Sequence, residues 1–116
     1  MGVADDAVGA TPPRDPRAAE VATALLGDPA DARTLDEFAA DVATSARTLA
    51  RAFNAETGMT FGQWRTQIRL AASLPLLADG LPVSRIAGRV GYRTTSAYVA
   101  AFRRVVGVPP GRYFAE

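Results

Sequence analysis

Cysteine, histidine and lysine are all missing from this chain of 116 residues. Without cysteine there are no disulfides and no thiolate metal ligands. Without histidine there is no imidazole ligand, no Ser/His or Cys/His nucleophilic pair, and no histidine pH switch. Most enzyme chemistry goes with them, so no catalytic role, metal or cofactor is expected. Long apolar runs are lacking too: none approaches the roughly 20 residues that span a bilayer, and no membrane partner is expected. The start, Met1 to Asp6, carries acid where a secretory leader carries base, and Gly2 is not followed by the Ser or Thr of a myristoylation signal. The expectation is a soluble protein of the cytoplasm.

Hydrophobic residues at 48% and charged residues at 22% match a globular chain, and the length is that of a single domain. The net charge of +1 conceals an asymmetry. Up to Asp41 nine acids face three arginines, a balance of −6; from Val42 onward ten arginines face Glu56, Asp79 and Glu116, a balance of +7. Clustered positive charge gains affinity for phosphates by releasing their counterions, so the basic part points to a polyanionic partner; a solvated surface is the plainer alternative. All thirteen cations are arginine and 24 residues are alanine, a bias that GC-rich coding produces as readily as selection.

Residues 1–15 mix small residues, acids and a Pro-Pro pair without apolar periodicity and read as a flexible tail or linker remnant. After them the helix signals are clean. Asp15 and Pro16 open a helix that closes at Gly27. Thr34 and Glu37 form a capping box for a short helix ending near Asp41, and Ser45 caps one ending at Gly58. Thr60 and Gln63 form a second box, opening the longest helix, about 61–79, which Gly80 terminates. Pro82 opens a fifth helix, Thr94 or Thr95 caps a sixth that ends at Gly107, and Pro109-Pro110 opens a last turn or two through Tyr113. No segment alternates with period two, so the fold class is all-α, with seven helices.

An internal repeat runs through this series. Phe38, Ala39 and Val42, then Leu49, Phe53 and Gly58, recur as Ile86, Ala87 and Val90, then Tyr98, Phe102 and Gly107. The offset is 48 residues in the first helix of each unit and 49 in the second, so the second turn is one residue longer. A short helix, a tight turn and a longer helix, with a small residue where the helices cross, is the pattern of a helix-turn-helix.

At 100° per residue, Leu49, Ala52 and Phe53 face a core while Arg47, Ala50, Arg51 and Asn54 share the opposite side. Two arginines at i and i+4 beside an asparagine offer forked donors that match guanine O6/N7 or two phosphate oxygens. The corresponding face of the second unit is Ser96, Val99, Ala100 and Arg103, shorter in reach and partly apolar. An ordinary solvated helix surface is the alternative for both faces, and carries more weight for the second. The helix between the units, about 28 Å long at 1.5 Å per residue, suits two recognition helices in successive major grooves about 34 Å apart. Arg65 and Arg69, one turn apart on it, either point at the intervening phosphates or are solvated.

The segments TLDEFAADVATSARTLARAFNAETGMTFGQWR (34–65), GLPVSRIAGRVGY (80–92) and SAYVAAFRRVVGVPPGRY (96–113) together resemble the DNA-binding domain of AraC/XylS-type transcription regulators over about residues 16–114. The resemblance implies two helix-turn-helix subdomains, about 16–58 and 82–114, joined by the linker helix, with the third and sixth helices in consecutive major grooves. It implies base-reading positions at Arg47, Ala50 and Arg51 in the first unit and Thr95, Ser96, Val99 and Ala100 in the second; Asn54, Arg93 and Arg103 complete the expected DNA-binding set. Two residues depart from the family pattern. Ala100 stands where a long polar side chain is common, and Pro75 lies inside the linker helix, where it removes a bond to the Ala71 carbonyl and is expected to kink or loosen the last turn. Partners implied are double-stranded DNA, RNA polymerase, and a sensing or dimerising domain ahead of this one; the acidic start suits a C-terminal piece, while stand-alone members also exist. The competing class is a helical interaction module that presents its arginine face to an acidic protein.

Overall fold

The computed structural model describes residues 10–114. Among them are six α-helices: α1 (Pro16–Gly27), α2 (Leu35–Asp41), α3 (Ala46–Thr57), α4 (Phe61–Ala78), α5 (Val83–Arg89) and α6 (Thr95–Val106). The expected seventh helix is a 3-10 turn at Pro110–Arg112. Its bonds run from the Arg112 and Tyr113 amides to the carbonyls of Pro109 and Pro110, three residues back, the pattern of a 3-10 turn.

The helix starts follow from local chemistry. The Asp15 carboxylate accepts from the amides of Arg17 and Ala18 at 3.0 and 3.1 Å. Both capping boxes close in both directions: Thr34 with Glu37 at 3.2 and 2.8 Å, and Thr60 with Gln63 at 3.1 and 3.0 Å. The Ser45 hydroxyl caps α3 through the Thr48 amide, and Thr94, not Thr95, caps α6 through the Ala97 amide. Pro82 is the cap residue of α5 and not its first turn.

Two hydrophobic cores meet along α4. Its first half sends Phe61, Trp64 and Ile68 into a core with Val21 and Leu25 of α1, Phe38 of α2, and Leu49 and Phe53 of α3. Its second half sends Leu70 into a core with Ile86, Ala87, Val90, Tyr98, Ala101 and Phe102. The molecule is accordingly elongated, 46 × 26 × 20 Å. Pro75 does not end α4: the helix runs on to Ala78. It then closes with bonds from the Gly80 amide to the Leu77 carbonyl and from the Leu81 amide to the Leu76 carbonyl, the paired pattern that a residue of positive φ, here Gly80 at +83°, makes possible. The buried Ser73 hydroxyl donates to the Leu70 carbonyl at 2.7 Å, so no polar atom of this side chain is left bare in the core.

The stretch 1–15 reads differently where it is described. Pro13 is buried, Ala10 packs on the first core, and the Thr11 carbonyl accepts the Trp64 indole N–H at 3.1 Å. Residues 10–15 are thus laid along the first subdomain; the remainder of the expected tail, residues 1–9, lies outside the described residues. A carboxylate also holds the chain here, because Glu56 at the end of α3 accepts from the backbone amides of Arg14 and Asp15.

Candidate nucleic-acid interface

The two short-helix, turn, long-helix units superpose in their hydrogen bonds. In the first, the Val42 amide bonds Phe38, that of Ala43 bonds Ala40, and that of Thr44 bonds Ala39; in the second, Val90 bonds Ile86, Gly91 bonds Gly88, and Tyr92 bonds Ala87. The offset is 48 residues throughout. Both turns pass through positive φ at the matching residue, Ala43 at 59° and Gly91 at 106°. Arg93 is the extra residue of the second turn: it stands between Tyr92 and the α6 cap Thr94, whereas in the first unit Ser45 follows Thr44 directly.

Each unit's long helix buries one side and presents the other. Leu49 and Phe53 of α3 are sealed, the Phe53 ring lying 5.3 Å from both Phe61 and Trp64. Opposite them Arg47, Arg51 and Asn54 are exposed and Ala50 is half-buried. These side chains line an open groove of about 740 Å³ with Leu35, Thr60 and Phe61. On α6, Tyr98 and Phe102 are sealed while Thr95, Ser96, Ala100 and Arg103 are exposed and Val99 is half-buried; Arg93 is exposed ahead of them. All ten expected contact residues therefore lie at the surface of the two long helices or the turn before the second.

What separates these arginines from Arg33, Arg65 and Arg69 is how their donors are used. Among the described residues, Arg47, Arg51, Arg93 and Arg103 make no ion pair or side-chain hydrogen bond, so their forks are free for an incoming acceptor. Arg33, by contrast, pairs with Asp31 and Asp41, each at 2.7 Å, and lies 4.4 Å from the Phe38 ring centre. Its hydrogen bonds hold the Asp31 carboxyl below its ordinary pKa.

Arg65 and Arg69 correct the expectation that they point at phosphates or sit in solvent. Arg65 donates to the Arg33 carbonyl and covers the Phe38 and Phe61 rings. Arg69 donates to the carbonyls of Pro29 and Asp31 at 3.0 and 3.3 Å. Both are half-buried, and burial pulls their guanidinium pKa values below the usual one. Their N–H groups supply donors to the carbonyls of the loop between α1 and α2.

Comparison with known proteins agrees with this geometry. A family model described as a helix-turn-helix domain matches residues 38–116. The transcriptional regulator RipA of Corynebacterium glutamicum is 42% identical over 101 residues, which is 87% of this chain and 30% of that protein. The regulator NimR of Escherichia coli is 39% identical over 88 residues, 76% of this chain and 32% of the relative. This chain thus spans about a third of the length of these relatives. Among solved structures, the C-terminal domain of AraT, a response regulator from Geobacillus stearothermophilus, is similar with a TM-score of 0.79 and 30% identity, covering 85% of this chain and 84% of that one. The DNA-binding domain of AdpA, solved on a target DNA, is similar with a TM-score of 0.78 and 33% identity, covering 85% and 89%.

Proposed function

Because the chain belongs to the AraC-type helix-turn-helix family of transcription regulators, we propose that it reads a specific double-stranded DNA site by placing α3 and α6 in consecutive major grooves on one face of the duplex. The observation that carries this reading is the grouping of two unbonded arginines with an asparagine on one exposed helix face. Those packed along α4 and its loop are bonded within the fold, whereas Arg47 and Arg51 stand unbonded beside Asn54 on the exposed face of α3. A forked donor with nothing to bond in the free protein suits guanine edges and phosphates.

The 18 residues of α4 span about 27 Å at 1.5 Å per residue, which is compatible with grooves about 34 Å apart once the widths of the flanking helices are added. Arg47, Ala50, Arg51 and Asn54 read one groove; Arg93, Thr95, Ser96, Val99, Ala100 and Arg103 address the next. The first unit carries most of the specificity, because this face of α6 offers mainly the short side chains of Thr95, Ser96, Val99 and Ala100, with Arg103 as the forked donor beside them. The protein acts without catalysis in the cytoplasm, by positioning itself on DNA where it contacts RNA polymerase, with a sensing or dimerising domain as its further partner.

Selection of bound sequences from a random duplex pool at stated salt tests this. The expected product is one asymmetric motif whose best-specified positions fall in a single half, with affinity that falls steeply as salt rises. Equal recovery of all sequences would contradict the reading.

A further inference from the structure

Arg69 touches both halves of the molecule. From the middle of α4 its Nε and Nη2 donate to the Pro29 and Asp31 carbonyls, in the loop joining α1 to α2 of the first subdomain. The same guanidinium lies 5.6 Å from the centre of the Tyr92 ring, in the turn between α5 and α6 of the second. It also lies so flat against Gly91 that a Cβ built there would sit 2.7 Å from both Cζ and Nε and 2.9 Å from Nη2. Its φ of +106° calls for glycine, and a side chain there would have to displace the guanidinium from its place above the turn. Arg65, one turn earlier, does nothing comparable: its partners Arg33, Phe38 and Phe61 all lie on the side of the first core.

The two hydrophobic cores divide along α4, so the relative setting of the subdomains rests on that helix and on whatever braces it. A planar cation bonded on one edge to loop carbonyls and stacked by its face on the opposite turn resists both twist and bend, and a lysine cannot do both at once. We infer that Arg69 is a positioning residue that fixes the angle between α3 and α6, and through it the number of base pairs the protein requires between its two half-sites. This rests on the consecutive-groove reading above and assigns the spacing specificity within it to a residue that contacts no DNA.

The test uses two readouts, one without DNA. The chain has no native cysteine, so spin labels can be placed at single cysteines introduced at exposed Glu20 on α1 and Arg85 on α5, and their distance distribution measured by pulsed electron resonance. In parallel, affinity is measured for the selected site with its half-sites at the selected spacing and one base pair closer or farther. Arg69→Ala is expected to broaden the distance distribution and to flatten the spacing series, while isolated half-sites bind within about twofold of the unsubstituted protein. Trp64 fluorescence together with far-ultraviolet circular dichroism reports whether both subdomains of the variant are folded. Should either signal be lost, Arg69→Met, which keeps the stem and removes the donors and the plane, is read in the same way. A narrow, unchanged distance distribution in a folded variant overturns the proposal, and so does a broadened one that leaves the spacing preference intact. An equal loss at half-sites and the full site also overturns it, because that is a folding role. If the unsubstituted protein shows no spacing preference, the consecutive-groove reading fails and the proposal with it, but the distance data still show separately whether Arg69 braces the subdomains.

Discussion

Removing Phe53 is expected to melt one half of the molecule and leave the other standing. The ring is sealed from solvent in the first core, edge-on to Phe61 with centroids 5.3 Å apart and tilted against Trp64 at the same distance. Truncating a packed phenylalanine to alanine typically costs about 3–5 kcal/mol. At about 0.05–0.15 kcal/mol per residue, a subdomain of this size holds only about 3–8 kcal/mol, so Phe53→Ala removes most or all of it. Phe102 is its counterpart in the second core, edge-on to Tyr98 at 5.9 Å and Tyr113 at 5.5 Å. The single tryptophan of the chain, Trp64, lies in the first core. Its fluorescence therefore reports one subdomain while far-ultraviolet circular dichroism reports both. Phe53→Ala should shift the Trp64 transition to much lower denaturant while a substantial part of the helical signal persists, and amide exchange should lose protection in α1 to α3. Phe102→Ala should give the converse, with helical signal lost and the Trp64 transition largely kept. Identical, superimposable transitions by both probes in both variants would refute the division into two cores.

Arg51→Ala should cost on the order of 1–3 kcal/mol in DNA affinity and relax preference at one or two base pairs of the selected site, read by competition with single-base variants; greater damage to specificity from alanine at Ser96 and Val99 would reverse the assignment of the two units. Ala43→Gly should raise stability by about 0.5–1 kcal/mol, since an alanine at positive φ is strained by about 1–2 kcal/mol and part of that relief is offset by the freer unfolded chain; a lower melting temperature would contradict it. Asp31 is bonded to Arg33 and its folded pKa is depressed below 3.8. The stability it contributes is therefore present above the ordinary carboxylate range and is lost as pH falls through the folded value. Asp31→Asn should accordingly be less stable than the parent at neutral pH, with the gap closing in chemical denaturation as pH falls below the ordinary carboxylate range.

The helix ends were legible because their chemistry is local. Thr34 with Glu37, Thr60 with Gln63, and Ser45 each settle their bonds within three residues, and the 48-residue repeat exposed the paired units, including the longer second turn. What stayed hidden depends on backbone partners far along the chain. An arginine pair at i and i+4 has the same spelling whether it is solvated or bonded to carbonyls, and the carbonyls of Pro29, Asp31 and Arg33 that claim Arg69 and Arg65 carry no side-chain signature. Glu56 and Trp64 were overlooked for the same reason, since they bond the backbone of residues 11–15, more than 40 positions away in sequence. That stretch looked structureless because it has no apolar periodicity of its own; its order comes from the bonds to Glu56 and Trp64 and from the burial of Pro13. Gly91 was the one available hint of a brace: a glycine in the second turn stands where the first turn has alanine, and the demand it meets comes from Arg69.

Hydroxyl-radical footprinting of the protein on its selected duplex, with stoichiometry from sedimentation, addresses the two-groove claim most directly. One monomer per duplex should protect two stretches of backbone on one face, centred about 10 base pairs apart, on a site without inverted symmetry. Two monomers on an inverted repeat, each protecting a single major groove, would contradict it.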